Sequence, residues 1–427
     1  MTSRVTVRMY NVGFGDCFLV QLHGAEGERP RAVLIDCGRH SGTLEDAPDF
    51  WDVVRQVVID LPKVKGRPAI DVLVMTHRHR DHVHGFSKGE PWENVQVGEV
   101  WMPWTENDAD PVAKALRELQ HDAATRSYHA LLTLRPGLSP AREIALNSIT
   151  NQSAMTTLRG FKCPVRYLPD PLRPQATVVR GTGRDDLGLP ADVIVHVLGP
   201  SRDKKTITTL DPPAGAAYLQ LVPADPGEPE DATAQDVPAP WGGDWDLDAD
   251  KFKDKVGPAA SLLNRDFLDD VERAAATDAE GLAMSVDKAL NGTSLVLLFE
   301  IGDQFLLFPG DAQWGTWQAM LADKEWMTNL KKVTFLKVGH HGSHNATPVE
   351  FVEKCLTNAK AMISVSPTVY DSKGWKQIPK KELMEAMRLK HRVGLLVRSD
   401  DPVPAEGLEI DPGGLWTEVS LDVKATP

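Results

Sequence analysis

THRHRDHVHG, at residues 76–85, is the most informative stretch of the sequence, and it follows the apolar run DVLVM at residues 71–75 without a break. A short apolar run of this kind is typical of a strand buried on both faces, and ligand groups commonly lie in loops at strand ends. Four imidazoles and one carboxylate form a nitrogen and oxygen ligand set that suits Zn²⁺, Fe or Mn²⁺. The plain alternative is a solvated basic loop, but four of the chain's 13 histidines lie in eight positions here.

The spacing within this loop indicates ligands for two adjacent metal ions. In an extended loop, His77 and His79 point the same way because successive side chains alternate in direction. Asp81 and His82 then face a neighbouring direction, so one loop can serve two ions. His84 is expected to lie outside this ligand set.

Two later segments supply ligands that the loop lacks. FPGD at residues 308–311 ends an apolar strand with the carboxylate of Asp311. Taken alone, such an Asp is more often a turn residue that caps the next helix. KVGHHGS at residues 337–343 likewise ends a strand, here with the paired imidazoles of His340 and His341.

Strands and helices alternate along most of the chain, which predicts a mixed α/β protein. The periodicity of apolar residues predicts strands at residues 4–10, 16–23, 31–36, 71–76, 191–200, 294–302, 304–311, 333–339, 361–366, 394–399 and 415–421. It predicts helices at residues 47–61, 111–133, 140–159, 259–289, 314–323, 348–357 and 379–390. Residues 105–290 are therefore expected to be mostly helical, between two segments that contain most of the strands.

Negative charge is concentrated in one part of the chain. The formal net charge is −13, and no Lys or Arg occurs between Lys205 and Lys251. Pro, Gly and acidic residues dominate that interval, so we interpret residues 222–250 as a mobile acidic loop. An acidic protein is a weak candidate for binding long nucleic acid without sequence preference, although a local basic groove remains compatible with the total.

The composition is that of an ordinary globular protein, with 42% hydrophobic and 25% charged residues. No stretch approaches the roughly 18 apolar residues of a membrane helix, and residues 1–16 have no apolar signal region. We therefore expect a cytoplasmic protein without membrane association. The cysteines lack CxxC spacing and are expected to be reduced, buried thiols; they are Cys17, Cys37, Cys163 and Cys355.

Together the His-rich loop, the strand-end Asp and the strand-end His resemble the metallo-β-lactamase superfamily. More narrowly, the chain is similar to the hydrolase domain of ComEC-type DNA-uptake competence proteins and to phosphorylcholine esterases. The matching segments are NVGFGD at 11–16, IDCG at 35–38, NGTS at 291–294 and GHHGS at 339–343. The resemblance covers roughly residues 4–104 and 190–425, with an insertion between them.

The resemblance implies a four-layer αββα sandwich. Its core would comprise residues 1–104 and 291–427 together with the strand at 191–200. Residues 105–290 would form a largely helical insertion that includes the mobile acidic loop 222–250.

The resemblance also implies a role for each site residue. Two divalent metal ions are expected, zinc first, with manganese or iron as alternatives. The implied ligands are His77 and His79 for the first ion, Asp81, His82 and His341 for the second, and Asp311 as the bridge. The implied catalytic residues are Asp81, Asp311 and His340, the last contacting a substrate oxyanion; His340 is also the alternative ligand to His341. Asp36 is expected to accept a hydrogen bond from a ligand imidazole, and Asp16 either does likewise or serves the turn after Gly13 and Gly15.

Two departures from the family pattern stand out. Many members have a third His on the first metal, and the candidates here are His121, His129 and His196, each of which has the pattern of an ordinary residue. Relatives of the competence type often lack that His. They commonly carry a His before a late Pro, where this chain has Ile378.

The implied function is a dinuclear-metal-dependent hydrolase, most simply a phosphodiesterase or nuclease that uses a metal-bridging hydroxide. An ester, lactone or thioester hydrolase on the same metals is the first alternative. A non-catalytic scaffold that binds a protein partner through the insertion is the second. The expected substrate is an anionic phosphodiester, either nucleic acid or a small molecule.

Several basic residues and tryptophans stand near the expected site. The basic residues either attract that substrate or form a solvated face; they are Arg78, Arg80, Lys337, Lys373, Lys376, Lys380 and Lys381. Trp101, Trp104 and Trp375 either stack on bases or belong to the core.

Overall fold

The structure is a computed structural model. It describes residues 1–40, 47–134, 140–149, 151–170, 178–183, 187–203, 206–207, 209, 211–212, 216, 279–343, 345–366, 378–389 and 391–424. The acidic segment 222–250 lies outside these residues, as does most of the helix expected at 259–289.

The elements alternate between strands and helices along the described chain. The strands are β1 Arg4–Tyr10, β2 Cys17–His23, β3 Arg31–Cys37, β4 Lys63–Val64, β5 Arg67–Val74, β6 Gln96–Pro103, β7 Val165–Leu168, β8 Val178–Arg180, β9 Val193–Gly199, β10 Val296–Ile301, β11 Gln304–Phe308, β12 Phe335–Lys337, β13 Ala359–Ile363, β14 Val393–Arg398, β15 Leu408–Ile410 and β16 Trp416–Asp422. The helices are α1 Phe50–Asp60, α2 Arg80–Val83, α3 Pro111–Leu134, α4 Pro140–Ile149, α5 Gln152–Gly160, α6 Ala279–Asn291, α7 Trp314–Ala322, α8 Lys324–Leu330, α9 Val349–Lys354 and α10 Lys381–Met387. Short 3₁₀ turns lie at His84–Phe86, Glu90–Trp92, Trp104–Glu106 and Gly339–Gly342.

Two mixed sheets organise these strands. In the first sheet the order is β15, β16, β1, β2, β3, β5, β6, β7, with β4 paired to β5. In the second sheet the order is β14, β13, β12, β11, β10, β9, β8. Each sheet is antiparallel at one side and parallel at the other, because β3, β5, β6 and β7 run parallel, as do β11 to β14.

The apolar residues divide among three clusters that explain the layering. Alternate residues of the two sheets, such as Val72 and Phe308, form a core between the sheets. The opposite face of the first sheet packs against α1 and α5, for example through Val53 and Met155. The opposite face of the second sheet packs against α7 to α10, for example through Trp317. The protein is therefore an α/β sandwich in which helices cover the outer face of each sheet, as expected for strands that are apolar on both faces.

The parallel strands of both sheets deliver the candidate site residues at their carboxyl ends. Asp36 lies at the end of β3, and the loop 77–82 follows β5. Asp311 follows β11, and the GHHG turn at 339–342 follows β12. Crevices at the carboxyl ends of parallel strands are where ligands bind in α/β sheets, so the topology itself assembles the residues discussed below.

Several elements differ from the sequence expectation. The range 105–290 contains, besides β9, the strands β7 and β8, and these pair with β6 and β9 at the edges of the two sheets. The helix expected at 140–159 is two helices, α4 and α5. Short edge strands have few residues over which a period can be seen, which explains why β7 and β8 were not expected. Within the described part of the chain, no helix combines the length and apolarity that crossing a bilayer requires.

Candidate metal centre

Four ligand groups converge in a buried cluster where the strand ends of the two sheets meet. It comprises one ring nitrogen each of His82 and His341 and one carboxylate oxygen each of Asp81 and Asp311, all within 4.8 Å of one another. His82 Nε2 is 3.3 Å from Asp311 Oδ2 and 3.8 Å from Asp81 Oδ2. His341 Nε2 is 3.3 Å from Asp81 Oδ2. Two imidazoles and two carboxylates in this arrangement could hold a metal ion.

His77 and His79 bring a second pair of ring nitrogens together beside this cluster. His77 Nε2 lies 3.0 Å from His79 Nδ1, and both side chains are buried. The His77 ring centroid is 4.1 Å from that of His82. The loop therefore presents two adjacent groups of ligand atoms.

Hydrogen bonds on the far side of these rings determine which nitrogen carries the proton. The Thr76 hydroxyl donates to Asp36 Oδ2 at 2.6 Å, so it accepts from His77 Nδ1, which lies 3.2 Å away. The Ser148 hydroxyl donates to a backbone carbonyl of α4 at 3.3 Å, so it accepts from His79 Nε2, also at 3.3 Å. The remaining lone pairs, on His77 Nε2 and His79 Nδ1, face each other. Two lone pairs at that separation repel unless a cation lies between them, and this fits a metal ion.

Asp36 orients His82 in the same way. Its carboxylate accepts hydrogen bonds from His82 Nδ1 and the Thr76 N–H, both at 2.8 Å. The lone pair of His82 Nε2 is thereby directed into the cluster. Asp16, Asp36 and His82 also form a second group with metal-binding spacing. Because His82 Nδ1 donates to Asp36, that second group supports the ligand set and does not form an independent site.

His341 is held from the second sheet. Its Nδ1 donates to the backbone carbonyl of Ser364, just after β13, at 2.8 Å, which leaves Nε2 free to face Asp81. The ring of Phe14 covers one side of the imidazole, with centroids 4.1 Å apart. The backbone φ angles of His340 and His341 are 44° and 50°. Non-glycine residues rarely adopt this left-handed region, and such strain is commonly found at functional sites.

Asp16 contacts Lys337 and not a ligand imidazole. Its Oδ2 forms an ion pair with Lys337 Nζ and lies 3.6 Å from His82 Nδ1, which is too far for a hydrogen bond. The structure thus differs from the expectation that Asp16 accepts a hydrogen bond from a ligand. The physical reason is that a charge-assisted contact with the ammonium is stronger than one with a neutral ring N–H.

Asp81 and Asp311 are arranged alike. In each, Oδ1 accepts hydrogen bonds from neighbouring groups and Oδ2 faces the histidines of the cluster. Asn147 Nδ2 donates to Asp81 Oδ1 at 2.9 Å, and Asn147 Oδ1 accepts from the Asp81 N–H at 3.2 Å. The His340 N–H and Lys337 Nζ lie 3.1 Å and 3.3 Å from Asp311 Oδ1. Each carboxylate therefore has Oδ2 directed into the cluster, where it could hold a metal ion.

The carboxylates make this cluster attract positive charge. Burial would lower the pKa of His82, but Asp311, Asp81 and Asp36 outweigh it and raise that pKa well above its usual value. Burial would raise the pKa of Asp81, but His82 and His341 hold it well below its usual value. The acidic groups around His82 thus favour positive charge at this position. A divalent cation bound by these groups would supply that charge.

Helix α4 contacts the His-rich loop through polar side chains that the sequence pattern did not single out. Besides Asn147, Ser148 contacts His79, and Asn151, just after α4, donates from Nδ2 to the backbone carbonyl of Arg78. The signal in the sequence is three polar residues, 147, 148 and 151, on one face of a helix. That pattern is equally typical of a solvated face, so it does not identify a site.

Helix α6 adds a carboxylate on the same side. Asp287 Oδ1 lies 3.6 Å from His79 Nε2, and Asn291 Nδ2 donates to Asp287 Oδ2 at 3.1 Å. Removal from water, together with the negative charges of Asp81 and Asp311, raises the pKa of Asp287 well above its usual value. The i, i+4 spacing of Asp287 and Asn291 is the sequence signal for this pair.

His84 and the three histidines considered as a third ligand lie away from the cluster. His84 stacks on a phenylalanine of α1, with ring centroids 5.2 Å apart. His121 and His129 are exposed on α3. His196 Nε2 pairs with Glu300 Oε2 at 2.7 Å. None of the three histidines considered as a third ligand of the first metal therefore reaches the site.

Most basic residues expected to attract an anionic substrate are paired with other groups. Arg78 Nε lies 3.4 Å from the buried carboxylate of Glu106, and Arg80 Nη2 contacts His84 Nε2 at 2.8 Å. Lys337 is buried between two acids. Lys380 is buried, Lys381 is exposed, and Lys373, Trp375 and Lys376 lie outside the described residues. Arg78 and Lys337 therefore balance buried acids and do not form an open basic surface.

The remaining aromatic and apolar candidates are packing residues. Trp101 and Trp104 are each 1% exposed, so they belong to the core and do not offer a stacking surface. Ile378 packs against Phe14, which in turn covers His341. Ile378, at the position where the proteins that the sequence resembles carry a His, therefore packs against the side chain that covers His341.

Comparisons with known proteins add no name to this site. A scan against models of protein families found no match for the chain, and a search of curated proteins found none either. The residues of the site are therefore the basis for its function.

Proposed function

We propose that this protein is a metal-dependent hydrolase of the metallo-β-lactamase fold with two metal ions in its active site. One observation carries the proposal: ligand residues from three separate segments converge at the carboxyl ends of strands from both sheets, with their lone pairs and carboxylate oxygens directed inward. The layering of helices outside two packed sheets and the motif resemblance both support it.

The described residues fit two adjacent ions. His77 and His79 would hold the first ion, while Asp81, His82 and His341 would hold the second. Asp311 would help to hold both ions through Oδ2, since its other oxygen is occupied. Zinc is the first candidate, with manganese and iron as alternatives, because the ligands are imidazole nitrogen and carboxylate oxygen. When bound, such ions lower the pKa of a coordinated water and stabilise the negative charge that develops on the substrate.

The chain's own residues contribute by orienting these groups. Asp36 holds the proton on His82 Nδ1, and Asn147 holds one oxygen of Asp81. Lys337 does the same for Asp311 and keeps its charge there, because Asp16 and Asp311 outweigh the effect of burial and raise the lysine pKa. The site is thereby organised before any substrate arrives, which is the arrangement that makes electrostatic catalysis effective.

We propose phosphodiesters as the substrate class. Two closely spaced ions can hold the attacking and the leaving oxygen of an in-line displacement together. A carboxylic ester, lactone or thioester is the second candidate. One observation favours it: Arg78 and Lys337 are neutralised by Glu106, Asp16 and Asp311, which weakens the attraction of an anionic substrate.

A metal-supplemented activity assay tests the proposal. We expect the chain loaded with Zn²⁺ or Mn²⁺ to cleave bis-p-nitrophenyl phosphate, and a chelator to abolish this. Asp311→Asn should be inactive, whereas Asp401→Asn, at an exposed position, should keep full activity. Cleavage of p-nitrophenyl acetate alone would favour the second candidate, and no hydrolysis of either would contradict the proposal.

Salt dependence separates two kinds of phosphodiester. A polynucleotide releases counterions when it binds, so its KM should rise steeply with salt concentration. A small phosphodiester held mainly by the metal ions should show a shallow dependence. With Arg78 and Lys337 engaged in buried ion pairs, we expect the shallow dependence.

A further inference from the structure

His340 is the one imidazole at the centre whose role the ligand set leaves open. It precedes His341 in the GHHG turn, and its Nε2 lies 3.9 Å from Asp311 Oδ2, the oxygen that faces His82. Its side chain is 14% exposed, so it borders both the cluster and the solvent. What it can do chemically depends on which of its ring nitrogens carries the proton.

A chain of buried polar side chains leads away from His340 Nδ1. Ser343 Oγ lies 3.0 Å from His340 Nδ1 and donates to Asn345 Oδ1 at 2.6 Å. Asn345 Nδ2 donates to Gln313 Oε1, and Gln313 Nε2 donates to the backbone carbonyl of Asp311 at 3.0 Å. Ser343, Asn345 and Gln313 are at most 4% exposed, so water does not replace these contacts.

The last group of this chain determines the direction of every hydrogen bond in it. A backbone carbonyl can only accept, so the amide nitrogen of Gln313 must face Asp311 and its oxygen must face Asn345. The amide of Asn345 then has to present its nitrogen to Gln313 and its oxygen to Ser343. The Ser343 hydroxyl has a single proton, which Asn345 Oδ1 receives, so Ser343 can only accept from His340.

We infer that the chain Ser343–Asn345–Gln313 fixes His340 as the Nδ1–H tautomer, so that its Nε2 presents a lone pair to the metal centre. In this form His340 is an electron-pair donor: its Nε2 can bind an ion or accept a hydrogen bond from water. It does not donate a hydrogen bond to a substrate oxyanion, which is the role that the family resemblance implied. The inference about the tautomer is independent of the proposed hydrolase function. Any role of this tautomer in catalysis rests on that proposed function.

The three residues of the chain are positioning residues in this scheme, because none except Ser343 contacts His340. Gln313 acts on His340 through Asn345 and Ser343. It is itself oriented by the backbone carbonyl of Asp311, a proposed metal ligand. His340 would thus have the same polarity as the other four imidazoles at the centre, each of which directs its lone pair inward. Shared polarity across five rings from two separate loops is what a cation-binding centre requires.

Nitrogen NMR of the full chain labelled with ¹⁵N-histidine tests the inference directly. The ¹⁵N shifts and the couplings to ring protons distinguish a protonated ring nitrogen from one with a lone pair, and the signals of His340 are identified by their loss in His340→Gln. We expect a protonated Nδ1 and an unprotonated Nε2 in the chelator-treated protein at neutral pH. A protonated Nε2 in the unsubstituted protein would overturn the inference whatever the variants do.

Variants then test whether the hydrogen-bond relay Ser343–Asn345–Gln313 fixes the tautomer. Ser343→Ala and Gln313→Leu should each abolish the tautomer preference of His340, and Ser343→Thr should restore it because the hydroxyl is kept. Ser87→Ala is a matched control, because Ser87 Oγ lies 3.2 Å from His84 Nδ1 with the same sequence spacing but outside the cluster; it should leave His340 unchanged. An unchanged tautomer in folded Ser343→Ala and Gln313→Leu would contradict the relay.

The outcome is separable from that of the proposed function. A protein with the expected tautomer but without hydrolase activity would retain this inference and lose the proposed function. A protein that hydrolyses phosphodiesters with the opposite tautomer would do the reverse.

Discussion

The two loops that build the candidate centre are supported in different ways. The loop 77–82 follows β5; Asp36 holds it from within the sandwich, and α4 holds it from outside through hydrogen bonds with Asn147 and Ser148. The turn 339–342 follows β12 and is held by the sandwich itself, through the Ser364 carbonyl and the ion pairs of Lys337. One half of the site therefore depends on the helices of the range 105–290, and the other half does not. Those helices are part of the architecture of the site and not only neighbours of it.

Loss of a ligand carboxylate should have the largest effect and should be the same in both halves. Asp81→Ala and Asp311→Ala remove oxygens that lie within one cluster, so each should reduce metal content from about two ions per chain to one or none. Elemental analysis after loading with Zn²⁺ measures this, and circular dichroism checks that the fold is kept. A variant that still binds both ions would show that its carboxylate is not a ligand.

Loss of Lys337 should strongly lower the free energy of unfolding, because its ion pairs support the turn 339–342. Lys337→Met leaves two buried carboxylates, Asp16 and Asp311, without their cation. Removing one partner of a buried ion pair typically costs about 3–5 kcal/mol of unfolding free energy. Denaturant unfolding of the chelator-treated protein measures the loss, with Lys324→Met at an exposed position as control.

A second substitution sharpens that prediction. If the cost arises from uncompensated charge, Asp16→Asn in the Lys337→Met background should recover part of the stability. A double variant that is even less stable than Lys337→Met would assign the effect to packing and contradict the ion-pair explanation.

Loss of the Asn147 side chain should have a more moderate effect, which is a lower metal affinity of the loop 77–82. Asn147→Ala frees Asp81 Oδ1 but leaves no buried charge, so we expect metal affinity to fall roughly 10–100-fold, as for other residues that orient metal ligands. Competition with a chromogenic chelator measures the affinity. Asn94→Ala, at an exposed position, should bind metal normally. Equal metal affinity in both variants would show that α4 does not help to position the metal-binding residues.

The smallest effect is expected at His84, the loop histidine that faces away from the cluster. His84→Ala should leave metal content unchanged, because the ring stacks on α1 and contacts Arg80 and Ser87. A loss of metal comparable to that of Asp311→Ala would mean that the ligands within the loop are wrongly assigned.

Most longer strands were predictable from the sequence because their signal is local, although β6, eight residues long, was not among those expected. The strands that became β1, β3, β10 and β16 are runs of apolar residues several positions long, and the structure has them within about two residues of the expected bounds. β7, β8 and β15 have three or four residues each and gain their pairing from neighbouring strands. No local pattern distinguishes such segments from loops.

The site shows the same division between local and distant information. Asp81 and His82 lie in one dense motif, and Asp311 lies at a recognisable strand end. Their residue types and positions therefore predict that they lie close together in the fold. The ion pair of Lys337 with Asp16 joins segments far apart in the chain. The hydrogen bonds of Asn147 to Asp81 join a helix to a loop in the same way. Such contacts depend on the relative placement of elements, which a single sequence does not specify.

The central position of β1 has a consequence for how the chain acquires its structure during synthesis. Arg4–Tyr10 pairs on one side with β2 and on the other with Trp416–Asp422, in a register of seven residue pairs. One edge of β1 therefore stays open until residue 422 has left the ribosome. At about 5–20 residues per second this takes roughly 20 to 80 seconds. An open strand edge can pair with other chains, so we expect the nascent protein to depend on chaperones during this interval, although the finished sheet buries the same edge completely.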